Sequence, residues 1–298
     1  MAELAASPRI SVIMPTGNVI ARAPGRAIFE SVLQSVAWAD ELVIVDSDSH
    51  DDTRAVAARY TSKIFVHPYQ GSLKRQKQLA IEYTTGDWIL WVDADEVLPP
   101  ALIAEIQHAV RHPQADGYQI CRRHYFIGRP LNHDAEAPKM RLWRRGVGHW
   151  DGPENDEVYV VPAPVASLAT PLEHYSDVSL QYRLEKMIYF APAHAALTPL
   201  PAPADYSAAQ IWRWIMRPAV QRIYGVYWVN RGYKDGVRGL IWALLCGITE
   251  FYRWLLVWER AQTSGATAPA PGASTAAPPA GDQQEPSQRK AAVPHFGT

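Results

Sequence analysis

Two hydrophobic rhythms alternate over the first third of the chain. Residues 10–14 (Ile-Ser-Val-Ile-Met) form a short apolar run that stops at Pro15, which predicts a β-strand. Ile28, Val32 and Val36 then recur at helical spacing. Residues 41–45 make a second strand-like run, closed by Asp46. Ser49 and Asp52 read as a helix start, with Val56, Ala57 and Tyr60 as its apolar face. Residues 63–66 predict a third strand and residues 73–83 a helix. Residues 88–92 (Trp-Ile-Leu-Trp-Val) are apolar at every position, as in a strand buried on both faces. Leu102, Ile106 and Val110 mark the next helix. Strands alternating with helices in this way predict an α/β fold: an open, mostly parallel sheet with helices on both faces.

The rhythm then changes. Residues 117–175 read as mixed strands and loops, and 176–195 as a helix. Pro199, Pro201 and Pro203 break the chain before residues 207–260, which hold six of the eleven Trp and eight Lys or Arg against three acids. Residues 240–258 are apolar except for Glu250 and Arg253. Nineteen such residues approach spanning length. Trp at several levels and flanking Arg fit a helix lying in a membrane surface better. Beyond Thr263 the chain is Ala, Pro, Gly, Ser and Gln, which cannot offset its ordering entropy. The expected organisation is a flexible start (1–8), a catalytic domain (9–175, halves 9–115 and 116–175), a helical membrane-surface region (176–261) and a disordered tail (262–298).

Composition narrows the function classes. Net charge is −1 with pI about 6.8, without the basic excess of a nucleic-acid binder. Cys121 and Cys246 lie far apart with no CxxC spacing, which fits a reducing compartment. The apolar run at 10–14 is too short for a signal peptide, so a cytoplasmic location is expected.

The candidate chemistry sits at the strand ends, where open α/β sheets bind ligands. Three polar clusters follow the first, second and fourth runs: Thr16-Gly17-Asn18, Asp46-Ser47-Asp48-Ser49, and Asp93-Ala94-Asp95-Glu96. Asp93 and Asp95, two apart at a strand end, should point to the same side. Paired carboxylates of this kind suit Mg²⁺ or Mn²⁺ shared with substrate phosphates. Asp46 can accept from a base imide or a ribose hydroxyl; Ser49, Asp51 and Asp52 read equally as helix-capping residues. Lys74, Arg75 and Lys77 form a basic helix face for phosphate or for solvent. Arg141, Arg144 and Arg145 suit a diphosphate or a strand edge. His108 and His112 have zinc-helix spacing but lack the following Glu. His174 suits a phosphate contact or a packed structural role.

Taken in order, these motifs resemble family 2 glycosyltransferases of the GT-A fold. They are residues 11–18 (SVIMPTGN), 39–53 (ADELVIVDSDSHDDT), 76–80 (QKQLA) and 85–96 (TGDWILWVDADE). Residues 141–145 (RLWRR), 155–157 (NDE), His174-Tyr175 and 232–236 (GYKDG) resemble the lipopolysaccharide-core β-glucosyltransferase-like branch. The resemblance spans about residues 9–260. It implies inverting transfer of a sugar, with a UDP-hexose as expected donor, to a lipid-linked or lipopolysaccharide-core glycan. It places the protein on the inner face of a bacterial inner membrane. Asp46 would hold the base, and Pro15, Thr16, Asn18, Ser47, Lys77, Asp93, Arg141 and Arg144 would surround the nucleotide-sugar. Asp93 and Asp95 would serve ribose and metal, with Asp95 the direct metal ligand. Glu157 matches the acid of the branch's His-Glu pair and would be the catalytic base. Asp156 stands where that His would be, so either acid can fill the role, and Val19 replaces the usual Glu after Asn18. The alternatives are a degenerate nucleotide-sugar-binding protein and a sugar nucleotidyltransferase. No P-loop, Gly-x-Ser-x-Gly or GxGxxG opens another chemistry.

Overall fold

In the computed structural model the first four apolar runs become parallel neighbours. The structure describes residues 7–22, 25–133, 137–152, 154, 157–162, 164–198 and 207–263. The expectations for Asp156, for the Pro199, Pro201 and Pro203 break, for most of the flexible start and for the tail from 264 on lie outside these residues. In chain order the first half gives β1 (Ile10–Thr16), α1 (Arg26–Val36), β2 (Glu41–Asp46), α2 (Thr53–Ala57), β3 (Ile64–Val66), α3 (Leu73–Glu82), β4 (Trp88–Trp91), β5 (Glu96–Val97) and α4 (Pro100–Arg111). Eight strands follow: β6 (Gly117–Ile120), β7 (Arg122–Phe126), β8 (Arg129–Pro130), β9 (Lys139–Arg144), β10 (His149–Asp151), β11 (Val158–Val160), β12 (Val165–Ser167) and β13 (Leu172–Asp177).

The main sheet has the order β12-β6-β9-β4-β1-β2-β3. β1 to β4 are parallel, and β9 inserts antiparallel between β4 and β6. The sheet is thus mixed and mostly parallel, as the alternation predicts. Residue parity divides its two faces. Val12, Met14, Ile44, Trp88 and Leu90 pack with apolar residues of α1, α2 and α4. Ile13, Val43, Val45, Ile89 and Trp91 pack with Leu79 and Ala80 of α3 and with Trp150 and Tyr159 of the β10–β11 hairpin. The helix expected from Ser49 is shorter than its pattern suggests. Ser49 turns inward to Asp46 instead of capping, and α2 has only five residues behind Asp52.

A second sheet, β5-β13-β7-β8, begins where β4 ends. Against it packs the C-terminal region: α5 (Leu180–Leu197), α6 (Ala208–Ile211), a π-helical turn (Trp212–Met216), α7 (Arg217–Tyr224), a second π-helical turn (Gly225–Val229), a 3₁₀ turn (Gly232–Asp235) and α8 (Gly236–Thr263). Residues 232–263 are long and apolar enough to cross a membrane by length and composition. One side of α8 is nevertheless used inside the protein: Trp242, Ala243 and Cys246 are buried with Phe126, Leu131 and Val226. Asp235, in the turn before α8, accepts from the backbone N–H groups of Asn132 and His133 at 3.2 and 3.0 Å. This long apolar helix is therefore docked on the second sheet and the loop after β8.

Candidate functional site

The carboxyl ends of β1 and β2 are locked together. Asp46 is fully buried. Its Oδ1 accepts from the Ser49 N–H at 2.6 Å, and its Oδ2 from the Thr16 and Ser49 hydroxyls at 2.7 Å each. Asn18, at φ 49°, donates its N–H to Ser49 Oγ and accepts from the His50 N–H. Ser47 donates its N–H to the Thr16 carbonyl. Gly17 is needed where the loops approach, since a Cβ there would lie 3.3 Å from Ser47 Cβ. Pro15, Gly17, Asn18 and Ser47 are the half-buried face of this rim. The Arg54 guanidinium lies 3.8 Å from Asp46 Oδ1, a cation the helical pattern did not single out.

The parity that points Trp91 toward α3 explains the next cluster. Lys77, on the buried face of α3, brings its ammonium within 3.6 Å of the Trp91 ring centre. It pairs there with Glu157, which enters from the residue before β11. Side chains of both are about 95% buried or more. Among the described residues, Glu157 Oε2 has no hydrogen-bond donor. Burial pulls the Lys77 ammonium below the usual lysine range, against the opposing charges of Asp93 and Glu157. Asp93 shares the parity of Trp91 and accepts from its indole N–H at 2.7 Å. Burial would raise the Asp93 carboxyl, but Lys77 and Arg141 outweigh it and hold it low. Arg141 is fully buried, sits 3.8 Å from the Trp91 ring centre, and donates to Glu96 at 2.6 Å and to Asp93 at 3.4 Å. Glu96 is pushed up, first by burial, with Arg141 and Arg122 opposing.

Asp95 does not share the direction of Asp93, contrary to the strand-end expectation. The chain turns at residues 93–96, where the Glu96 N–H reaches the Asp93 carbonyl, and starts the second sheet. Asp95 thereby faces His174 of β13, Oδ2 to Nε2 at 3.4 Å. Burial would raise the Asp95 carboxyl, but the His174 charge and hydrogen bond, with Lys186 and Arg122, bring it well below its ordinary value. His174 Nδ1 meets His124 Nδ1 at 3.1 Å, and His124 lies 5.9 Å from the Trp242 ring of α8. Asp93 and Asp95 each keep about a quarter of the side chain exposed, 26% and 25%.

Two arginines fall outside the expected roles. Arg144 pairs with Trp88 at the amino end of β4 and bonds Asp116 at 2.8 Å. That is roughly 10 Å along the strand from Arg141, so it does not face a diphosphate at the Asp93–Asp95 end. Arg141, expected beside the nucleotide-sugar, is fully buried beneath Asp93 and Glu96 and bonds to both. The other basic residues of α3 pair outward, Lys74 near Glu154 and Arg75 near Glu82. His108 and His112 lie against each other, with ring centres 5.0 Å apart. The sequence pattern singles out neither Trp91 nor Arg54 as a site residue, and it marks Glu96 only as part of the strand-end cluster. The signal for Trp91 was its parity with Asp93 on an otherwise fully buried strand.

Asp95 and His174 are two donors that a divalent cation would meet at this turn. Among the described residues no group of three or more His, Cys, Asp or Glu side chains could hold one alone. Asp95 and His174 face each other at 3.4 Å, wider than the roughly 3.0 Å edge of an octahedron with bonds of about 2.1 Å. Two protein ligands completed by phosphates and water are usual for Mg²⁺ and Mn²⁺.

Known proteins share these features. The family described as Glycosyl transferase family 2 matches residues 11–160. An uncharacterized glycosyltransferase of Rickettsia felis is 40% identical over 132 residues, 44% of each chain. The lipopolysaccharide core biosynthesis glycosyltransferase LpsC of Rhizobium meliloti is 32% identical over 140 residues, 44% of this chain and 51% of that one. The chain thus spans about half the length of the curated relatives it matches. Among solved structures, S. aureus TarS 1–349 is similar over 86% of this chain and 92% of that one, at 14% identity and a TM-score of 0.42. Glucosyl-3-phosphoglycerate synthase from Mycobacterium tuberculosis, with Mn²⁺, UDP and glucosyl-3-phosphoglycerate, covers 40% and 45% at 22% identity and a TM-score of 0.33. The family match runs from β1 through β11, the stretch that supplies Asp46, Lys77, Asp93, Asp95, Arg141 and Glu157, and the chain belongs to glycosyl transferase family 2.

Proposed function

We propose that this chain transfers a sugar with inversion from a nucleotide-sugar, a UDP-hexose, to a lipid-anchored glycan of the lipopolysaccharide-core kind. The observation that carries the reading is Glu157. One of its oxygens is held by Lys77, and among the described residues the other is buried without a donor. A buried, bare carboxylate oxygen is costly unless a partner arrives. An acceptor hydroxyl is such a partner. It donates to Oε2 and gives up its proton there as its oxygen attacks the sugar carbon, while the bond to the diphosphate breaks on the opposite side. One in-line displacement of this kind inverts the centre and needs no enzyme nucleophile.

The remaining residues orient. The locked Thr16–Asp46–Ser49 rim gives Pro15, Asn18 and Ser47 a fixed face for the nucleoside. Asp46 shapes that face from within. Asp93, kept ionised by Lys77 and Arg141, would accept from ribose. Asp95 and His174 would hold Mg²⁺ or Mn²⁺, which when bound neutralises the charge of the departing diphosphate.

The acceptor class rests on surface and kinship. Of the 23 exposed large apolar side chains among the described residues, 18 fall between Leu180 and Trp258. Concentration of this kind marks an interaction face, and the accompanying Trp and Arg suit the inner face of a bacterial inner membrane. The similarity to LpsC points to the same glycan class.

The test is Glu157→Gln, which preserves shape. Calorimetric titration should show UDP binding with Mn²⁺ unchanged, while transfer falls by about 10²- to 10⁴-fold. Full transfer in Glu157→Gln beside a dead Asp156→Asn would move the base to Asp156.

A further inference from the structure

α5, α7 and α8 enclose a cavity of about 690 Å³ that the nucleotide rim does not use. Its charged walls are Arg183 and Lys186 of α5, Arg222 of α7, and Glu250 and Arg253 of α8. The acid is already satisfied. Arg253 donates to Glu250 at 2.5 and 3.2 Å, and the Trp254 indole N–H does so at 2.9 Å. Three further cations, Arg183, Lys186 and Arg222, leave the cavity lining with more positive than negative charge. Arg183 is mostly buried; it forms a long ion pair with Asp177 at 3.9 Å and donates to Thr249 Oγ1 at 3.4 Å, while its Nε finds no hydrogen-bond acceptor among the described residues. Its guanidinium rests 4.9 Å from the Trp242 ring centre, which fixes its plane. Lys186 donates only to the Ser176 carbonyl, at 3.2 Å. Arg222 is exposed and lies within electrostatic reach of Glu250.

A cavity with this excess of positive charge calls for an anion, because half-desolvated cations are costly alone. Guanidinium groups match phosphate oxygens in shape and charge. The frame of the cavity says which phosphate. The same three helices carry exposed apolar residues beside their cavity-facing positions: Ile188 on α5, Val220 and Tyr224 on α7, Leu244 and Ile248 on α8. A soluble anion has no use for that frame, whereas an amphiphile meets both parts at once.

We propose that the α5–α7–α8 cavity binds the phosphate headgroup of a membrane lipid. The assignment rests on the membrane reading above, and it adds a specific headgroup site to a general apolar face.

Vesicle flotation tests it. The proteins are the full chain and its Arg183→Lys/Arg222→Gln variant. The vesicles are phosphatidylcholine alone and phosphatidylcholine with phosphatidate. The full chain should float with both and prefer phosphatidate by about tenfold, the worth of one charge-assisted hydrogen bond. The variant should keep its affinity for phosphatidylcholine and its UDP binding, which reports folding, and lose the preference. A preference unchanged in the variant overturns the assignment. So does glycerol 3-phosphate displacing the chain from phosphatidate vesicles at the lipid's own concentration, since the site would then serve a soluble phosphate. Flotation of the full chain equally with both vesicles removes the cavity alone, and flotation with neither removes the membrane reading as well.

Discussion

Lys77 and Glu157 stand 80 positions apart, and nothing in their local patterns joins them. Lys77 lies in a basic helix face that reads equally as solvated, while Glu157 is one acid among several before a short strand. They meet because Trp91 points toward α3, which seats Lys77 on the indole, and because the β10–β11 hairpin packs on that same face. The residue types at the site were legible, and so were the strand ends that bear them. The pairing was not, since it depends on sheet parity and on a hairpin whose placement is a tertiary fact. Asp46 shows the same limit. Its place at the end of β2 marked it, but its complete enclosure follows from Ser49 turning inward. The Lys77 pair carries a pH prediction. The ammonium balances both Glu157 and Asp93, and burial pulls it below the usual lysine range, to which their charges are opposed. kcat/KM should therefore fall on the alkaline side below the ordinary lysine value of about 10.4. Lys77→Arg should move that limb upward, since guanidinium keeps its proton. A limb at the same pH in both proteins would assign it to another group.

At the scale of elements, β1, β2 and β4 were readable because each is an apolar run buried along almost its whole length, whereas β3 is a three-residue edge strand that is only partly buried. β9 was not readable as a central strand. Its sequence, Lys-Met-Arg-Leu-Trp-Arg, suggests an edge, yet it lies between β4 and β6 with Arg141 fully buried. The cost of that burial is offset by Glu96 and Asp93, which belong to the turn after β4 and not to β9. The C-terminal helices were readable as apolar but not as docked. Their docking hinges on small residues. A Cβ on Gly239 of α8 would come 1.9 Å from the Gly232 carbonyl oxygen. That oxygen is backbone and cannot swing aside. The 3₁₀ turn beginning at Gly232 also carries Asp235, the acceptor for the backbone of residues 132 and 133. Gly239→Ala should thus part the turn from α8 and lower stability by about 1–3 kcal/mol, seen as a lower Tm. An unchanged Tm would mean that α8 and the turn tolerate the separation.

Over the whole molecule, chemistry and stability occupy opposite ends of the same strands. The carboxyl ends of β1, β2 and β4 hold the rim and the Asp93–Asp95 turn. The amino ends hold Glu41, whose side chain is almost wholly buried at the start of β2. Glu41 accepts from the Ser11 hydroxyl of β1, from Lys63 just before β3, and from the Thr85 N–H and hydroxyl at 2.8 and 3.0 Å before β4. One carboxylate so ties the entries of four parallel strands. Burial alone would raise it, but Lys63, Ser11 and Thr85 together bring it from an ordinary 4.5 to about 2. A carboxyl lowered in the folded state contributes stability that is complete above its unfolded value and disappears as pH falls toward the folded one. Here that contribution is lost as pH falls from 4.5 to about 2. Glu41→Gln should accordingly be less stable than the parent at neutral pH, with the gap in unfolding free energy closing through that window. Transfer should be unchanged, because Glu41 lies roughly 17 Å along β2 from Asp46. A gap that stays constant down to pH 2 would mean that Glu41 acts by shape and not by charge. A loss of transfer at full stability would mean that the two ends of the sheet are coupled.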